Sequence, residues 1–495
     1  MNKAFKNIFA SILPQLVNIL TNLILPGFII LKFGSEMNGL VSTTKTIISY
    51  ISLVGAGIAA AVTQALYEPV AKKDNEKTMG MLHAAGNMFN KYGLIFCFIT
   101  IVVAFIYPHF IPTDIHYVTM ILLLIVMSLS GASEFFAIGR CRALLYANQR
   151  VYVCSFIQAL SLLISFVIAI IMLKLNMNII IVEFAISFVY VLRGFFLSTY
   201  VKKAYPELTN YKHFTPISDA ISKRNDAMIH QFSGVIVAGS QSAILSILVD
   251  LKAASIFAVY NIVFSGLQSI CSNLSTAVTP FMGKELALGE KKKLLNLYNV
   301  IEYAFFMLVA FIYSVTAIMI LSFVSLYTKN ADISYYYPIF AALFVLSSAF
   351  YILKLPSISL INIAGHFKET RWHAIIEATI SVVVSVVMTV LIGKEGVLVG
   401  TGLAMGWRCI VTIIYTANHI IDHSSVKSFL RLLAVLAFLG VCCYIPTYID
   451  ISPTNFGQWV LMAVAVCLAV CLFLVAVSIV FERKTVKCII DLFKK

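Results

Sequence analysis

Residues 38–52 read NGLVSTTKTIISYIS. They open an apolar run at 39–66, yet they set a lysine and a row of hydroxyls where a membrane span would meet lipid. On a helix, Ser42, Lys45, Ser49 and Ser52 recur at spacings of three and four, so they share one face. Either that face meets protein or water inside a membrane, or the segment is not a span. Composition decides between the two. The 495-residue chain is 60% hydrophobic and 12% charged, with a mean hydropathy of +0.94. No water-soluble domain of this size hides so much apolar surface, whereas lipid solvates the outer faces of membrane helices.

The apolar runs last twenty residues or more and lack the alternation of outer-membrane strands, which predicts an all-α polytopic membrane protein. Fourteen spans are expected, at about 8–32, 39–66, 92–112, 117–139, 151–173, 178–200, 229–249, 254–282, 298–326, 337–363, 374–392, 396–418, 429–447 and 458–481. Basic residues set their orientation. With the N terminus inside, the inner segments hold 27 of the 36 Lys and Arg, the outer loops five (Lys32, Lys174, Lys252, Lys329, Lys394), and the spans four (Lys45, Arg193, Lys354, Arg408). Both termini are therefore expected in the cytoplasm. This bias also accounts for the net charge of +14, so topology and anionic lipid explain it and no nucleic-acid partner is expected. The first run is too long for a signal-peptide core. The cysteines are scattered through apolar spans, where they act as small hydrophobes.

A proline-bearing, charged segment at 201–228 reads as a cytoplasmic amphipathic linker. It divides the chain into an N-terminal lobe at 1–200, a C-terminal lobe at 229–420, and a final pair of spans with a basic tail at 421–495. Transporters are often built from such repeated halves around a central cavity. A shift of 216 residues lays Lys45, Ser49, Ser52 and Ala56 on Asn261, Ser265, Gln268 and Ser272.

Polar stripes recur on four spans. The eighth carries Asn261, Ser265, Gln268, Ser272, Ser275 and Thr279, the first Ser11, Gln15, Asn18 and Asn22, and the seventh His230, Ser233, Ser240 and Gln241. Small polar residues commonly hold helices together, but six on one face of span eight exceed one helix contact and predict a water-filled cavity. Arg408 and Lys354 lie too deep to snorkel, so an interior role is expected for both. Lys45 sits about 9 Å along its helix from Gly39. Snorkelling to the outer surface and facing a cavity both fit that depth, and the stripe favours the cavity. Arg193 is expected to reach the inner headgroups, and Glu302 and Glu377 to be solvated near the inner surface. Glu134 and Glu183 are deeper and are the candidates for ion coupling. His366 and His373 fall in a basic inner loop and read as headgroup contacts.

No phosphate loop, HExxH or GxSxG motif is present, and GKELALGEKKK at 283–293 lacks the phosphate-loop spacing. No enzyme activity, cofactor or metal is expected, and transport would run on a gradient. A membrane glycosyl- or acyltransferase would need clustered acidic or histidine residues at one face.

Three stretches resemble the polysaccharide-translocase branch of the multidrug/oligosaccharidyl-lipid/polysaccharide exporter superfamily. They are LILPGFIILKFGSEMNGLVSTTKTIISYISLVGAGIAAAVTQALYEPVAKKDNEK at 23–77, LVDLKAASIFAVYN at 248–261, and INIAGHFKETRWHAIIEA at 361–378 followed by LIGKEGVLVGT at 391–401. In the second, alanine and phenylalanine stand where glycine and isoleucine are usual. The resemblance runs from about residue 10 to 420. It implies two six-helix lobes around a central cavity bordered by spans one, two, seven and eight, with two further C-terminal helices. It also implies a flippase that moves lipid-linked oligosaccharide, of undecaprenyl-pyrophosphate type, to the outer leaflet of a bacterial plasma membrane by alternating access. On that reading Lys45, Lys354, Arg408, Asn18, Asn22, Ser49, Ser52, Gln241, Asn261, Ser265, Gln268 and Ser272 bind substrate. The expected partners are the lipid-linked sugar, membrane lipid, and the polymerase and glycosyltransferases of a capsule or exopolysaccharide pathway. A lipid II flippase and a drug/cation antiporter of the same superfamily are the competing readings.

Overall fold

The computed structural model describes residues 3–55, 58–148, 150–206, 215–216, 225–422, 424–448 and 452–483. Helices account for nearly all of them, and no strand occurs among the described residues. In chain order these are α1 (Lys3–Ser52), α2 (Ile58–Ala71), α3 (Asn75–Ile106), α4 (Tyr117–Ser133), α5 (Gly139–Ala147), α6 (Val151–Lys174), α7 (Ile179–Ala204) and α8 (Asn225–Leu248). There follow α9 (Leu251–Ala287), α10 (Lys291–Tyr327), α11 (Pro338–Leu353), α12 (Leu355–Ile363), α13 (Phe367–Ile392), α14 (Glu395–Thr416), α15 (Val426–Tyr448) and α16 (Phe456–Phe481).

Twelve helical stretches among the described residues are long and apolar enough to cross a membrane. The first holds two passes, because α1 turns at Gly34 (φ 82, ψ 172) and continues as a second helix. The left-handed region is open to glycine at little cost, which is why the turn falls there. With the shorter apolar α8, ending at Leu248, the fourteen expected passes are accounted for. The expected span 39–66 is interrupted, however. The helix ends at Ser52, passes through a 3-10 turn at Leu53–Gly55, and resumes at Ile58. At Gly55 an added Cβ would lie 2.2 Å from the ring of Phe135, so close packing selects glycine there.

Helix starts follow side-chain chemistry. Asp74 caps α3 by accepting from the Lys77 amide at 2.9 Å, Asn178 caps α7 through the Ile180 amide, and Asn455 caps α16 through the Gln458 amide. Each satisfies an amide that the first helical turn leaves open.

The chain forms two compact units, Met1–Ser255 and Ile256–Lys495. The expected linker at 201–228 falls largely outside the described residues. In unit 1 the core is apolar around Leu40, Leu66, Phe96, Leu123 and Leu124. There α8 is zipped to the second half of α1. Thr43 Oγ1 lies 3.1 Å from Ser242 Oγ, and Tyr50 Oη donates to the Ile236 carbonyl at 3.1 Å. Asn38 donates to Ser255 Oγ at 2.7 Å, and Tyr107 Oη from the end of α3 donates to Ser246 Oγ at 3.2 Å. Gly39 lets α1 meet the start of α9, since a Cβ there would stand 1.8 Å from the Leu251 carbonyl oxygen.

Unit 2 has an aromatic core. Phe264 stacks on Phe344 at 4.8 Å and on Tyr313 at 6.1 Å, and Tyr260 donates to the Tyr335 carbonyl at 2.9 Å. The last two helices are tied on by charge. Arg431 of α15 pairs with Glu302 of α10 at 2.9 Å and with Glu482, just after α16, at 2.9 Å. Ser428 and Tyr298 donate to Glu302 at 2.7 and 3.1 Å. Glu302 is 1% exposed, which corrects the expectation that it would be solvated: α15 covers it and supplies its counter-charge.

Gly39→Val adds a branched side chain where a backbone oxygen already stands. The α1–α8 zipper then loses register, and a loss on the order of 1–3 kcal/mol follows. Thermal unfolding in detergent should show the midpoint falling by several degrees, against little change for Gly440→Ala, where a Cβ meets nothing within 4 Å.

Candidate functional site

A cavity of about 430 Å³ opens in unit 1 between α1, α4, α6 and α7. Its wall carries Asn18, Thr21 and Asn22 from the first half of α1, Lys45 and Ser52 from the second half, and Ser130 and Glu134 at the end of α4. The remaining polar wall is Ser165 from α6 and Glu183, Ser187, Tyr190 and Arg193 from α7. Amides, hydroxyls and four charged groups thus line a space at membrane depth, with Leu25, Ile48, Met127, Leu162, Phe166 and Ile186 filling the apolar part.

Local backbone places two of the charges. After Ser133, α4 loosens into a π turn, Glu134–Ile138, before α5 begins. The extra residue in such a turn rotates the side chains that follow, and π turns recur at functional positions for that reason. Here Glu134 faces the cavity while Arg142, two turns on, pairs with it at 2.5 Å. Arg193 of α7 approaches the other oxygen at 3.7 Å. Arg193 is 9% exposed and lines the cavity, which corrects its expected snorkelling: Glu134 holds it inside.

The other pair is looser. Lys45 projects exposed into the cavity and makes no ion pair among the described residues. Glu183 is 2% exposed, and its Oε1 is buried with no hydrogen-bond partner in the described structure. The positive charge of Lys45 nevertheless acts on it.

The structure therefore brings Lys45, Asn18, Asn22, Ser52, Glu134 and Glu183 to one space. Ser49 is exposed on the same helix but outside that wall. Gln241 is buried in unit 1, where its amide donates to the Val237 carbonyl at 2.6 Å. The side chains of Ser11 and His230 lie outside the described residues. Thr21, Ser130, Ser165, Ser187, Tyr190 and Arg193 were missed. A signal existed for two of them, since Ser187 and Tyr190 follow Glu183 at the four-three spacing of the other stripes.

Unit 2 treats its charges differently. Lys354 sits where α11 gives way to α12, one position before the Leu355–Pro356 start, and proline there ends the preceding helix. Its ammonium pairs with Glu377 of α13 and lies 5.2 Å from the Tyr351 ring centroid. Arg408 of α14 approaches the second Glu377 oxygen at 3.5 Å and donates to the Thr370 carbonyl at 3.5 Å. Lys354, Glu377 and Arg408 are 5%, 6% and 4% exposed. Glu377 is thus buried, not solvated as expected, because two cations from neighbouring helices enclose it.

On α9, Asn261, Ser265, Gln268 and Ser272 are half-buried. Gln268 donates to Ser348 at 3.1 Å, and Ser275 meets Ser359 at 2.9 Å. Part of the longest stripe therefore joins helices within unit 2. At the C-terminal end of α14, His366 contacts Tyr415 Oη through Nδ1 at 3.0 Å, and His419 stacks on that ring at 4.5 Å.

No family model matches the chain, and no curated protein matches it. Solved structures do. The lipid II flippase MurJ, in an inward closed conformation, is 13% identical over 97% of this chain and 99% of its own, with a TM-score of 0.68. An inward-facing multidrug-resistance MATE transporter of the MOP superfamily is 12% identical over 88% of this chain and 99% of its own, at 0.62. A MOP-superfamily transporter from Pyrococcus furiosus, described as having a binding pocket of reverse polarity, is 12% identical over 88% and 96%, at 0.56. The chain has the fold of MOP-superfamily transporters and is a multi-pass membrane protein.

The Lys354–Glu377–Arg408 triad orders three substitutions. Glu377→Ala strands two buried cations and should cost about 3–5 kcal/mol. Lys354→Met leaves Glu377 with Arg408 as a balanced pair and should cost far less, and Lys354→Met combined with Glu377→Gln should fall between. Thermal unfolding of the purified variants reads the order directly, and equal losses for Glu377→Ala and Lys354→Met would contradict it.

Proposed function

We propose that this protein is a flippase that moves lipid-linked oligosaccharide from the inner to the outer leaflet of a bacterial plasma membrane, for synthesis of a cell-surface polysaccharide. The carrier is of undecaprenyl-pyrophosphate type. The observation that carries this reading is Lys45, a cation without an ion-pair partner among the described residues, standing among amides and hydroxyls in a cavity at membrane depth. A diphosphate leaving water needs compensating positive charge and strong donors. Asn18, Asn22, Thr21, Ser52, Ser130 and Ser187 suit the hydroxyls of a sugar, while the polyprenyl tail stays in lipid. Glu134 and Glu183 are the groups assigned to ion coupling. Asn261, Ser265, Gln268 and Ser272 on α9, with Gln241 on α8 and Ser49 on α1, are assigned to the sugar path in other stages of an alternating-access cycle. Lys354 and Arg408 are assigned a substrate contact that requires their release from Glu377.

A lipid II flippase is the second reading, favoured by the coverage of the MurJ match, which extends over 97% of the chain. The two readings share lipid and diphosphate and differ in the sugar. The multidrug transporters share the fold, but Lys45, without an ion-pair partner among the described residues, disfavours cationic cargo.

The test is translocation in proteoliposomes, comparing lipid-linked repeat units with lipid II. Lys45→Ala should slow transport at least about tenfold, the loss expected for one charge-assisted contact, while leaving thermal stability near wild type. A wild-type rate in that variant would overturn the cationic assignment. Collapse of an inside-negative potential at constant pH should also slow turnover, since the potential contributes roughly 2.3 kcal/mol per charge per 100 mV to outward movement of an anion.

A further inference from the structure

The cavity holds little positive charge in excess. Lys45 and Arg193 face Glu134 and Glu183 on its wall, and Arg142 pairs with Glu134 from beside it, so with all five ionised a single excess positive charge is offered to a diphosphate. One carboxylate is already committed, because Glu134 is held by Arg142 at 2.5 Å and approached by Arg193 at 3.7 Å. Glu183 is not. It is buried to 98% by exposure, one oxygen has no hydrogen-bond partner, and no ion pair engages it among the described residues. A carboxylate so placed is costly as an anion and is neutralised either by a proton or by a cation that moves to it. Lys45 is the mobile cation of the same cavity, and its charge already acts on Glu183.

From this geometry we infer that the cavity takes up its anionic cargo together with one proton, carried on Glu183. Lys45 is shared. While the site is empty its positive charge acts on ionised Glu183 across the cavity, without a direct ion pair. When a diphosphate binds, the ammonium turns to the phosphate oxygens, and the carboxylate accepts a proton from water on Oε1, which has no hydrogen-bond partner. Atoms and charge balance: one proton passes from solvent to the carboxylate, and the charge of Lys45 passes from offsetting the carboxylate to offsetting the phosphate. Among the described residues of the wall, Glu183 is the carboxylate that no cation engages. Arg142 and Arg193 hold Glu134, Tyr190 presents a phenol from the same helix, and α4 and α6 contribute the hydroxyls of Ser130 and Ser165. The inference rests on the flippase reading for its cargo, and names the linkage at that site.

The experiment uses the purified full-length protein in nanodiscs and farnesyl diphospho-N-acetylglucosamine as probe, whose diphosphate has no group titrating between about pH 5 and 8. Calorimetry in buffers of different ionisation enthalpy counts the protons taken up. Wild type should take up about one proton per probe, with affinity rising up to about tenfold for each unit of acidification. Glu183→Gln should bind the probe with no proton uptake and a flat pH dependence. Binding by wild type with no proton uptake, or an unchanged pH slope in Glu183→Gln, overturns the linkage and leaves the flippase reading intact. Undiminished binding by Lys45→Ala, or no binding by wild type, removes the cargo assignment itself.

Discussion

The fold is governed by one constraint: a charge at membrane depth must meet an opposite charge or water inside the protein. Unpaired charge facing lipid costs about 2.5–3.5 kcal/mol even on the mildest scales. This chain meets the constraint in three places and in two ways. Glu377 and Glu302 are each enclosed by cations from other helices. These contacts bind α11, α13 and α14 together and attach α15 and α16 to α10. The unit 1 cavity is the exception, with a lysine and a glutamate both left short of partners.

That contrast separates structural charge from chemical charge better than depth does. Lys354 and Arg408 lie deep, but their partner is within reach, so in this state their charge holds helices together. Lys45 lies at a depth that alone permits snorkelling, yet it stands in an open polar space. What distinguishes it is the cavity. The π turn at Glu134–Ile138 borders that cavity, and Arg142 and Arg193 share the one carboxylate of Glu134 there.

Much of the architecture was legible in the chain because hydropathy and the lysine-arginine bias are sums over many residues, and single errors cancel. The turn at Gly34 falls between the first two expected spans, whereas the break after Ser52 was not legible, since it depends on how closely the Phe135 ring approaches Gly55. The stripes on spans one and two supply Asn18, Asn22, Lys45 and Ser52 to the cavity wall. The stripe on span eight overstated its case: Gln268 and Ser275 pair with Ser348 and Ser359, a use of hydroxyls and amides that spacing cannot distinguish from water contact. Carboxylate partners were the least legible feature. Glu302 reaches Arg431 across 129 residues and Glu377 reaches Lys354 across 23, so depth alone assigned both to solvent.

A carboxylate enclosed by fixed cations and one beside a mobile cation also differ in what they can do. Around Glu377 the lysine and the arginine are both engaged and buried, so adding an anion to either must first break an ion pair in low dielectric, where that is most costly. Around Glu183 the cation is exposed to the cavity and the carboxylate lacks a full set of partners, so a new anion competes with one loosely satisfied group. The same two residue types therefore give a lock in unit 2 and a responsive site in unit 1. The difference lies in cavity volume and in the number of donors each carboxylate already has.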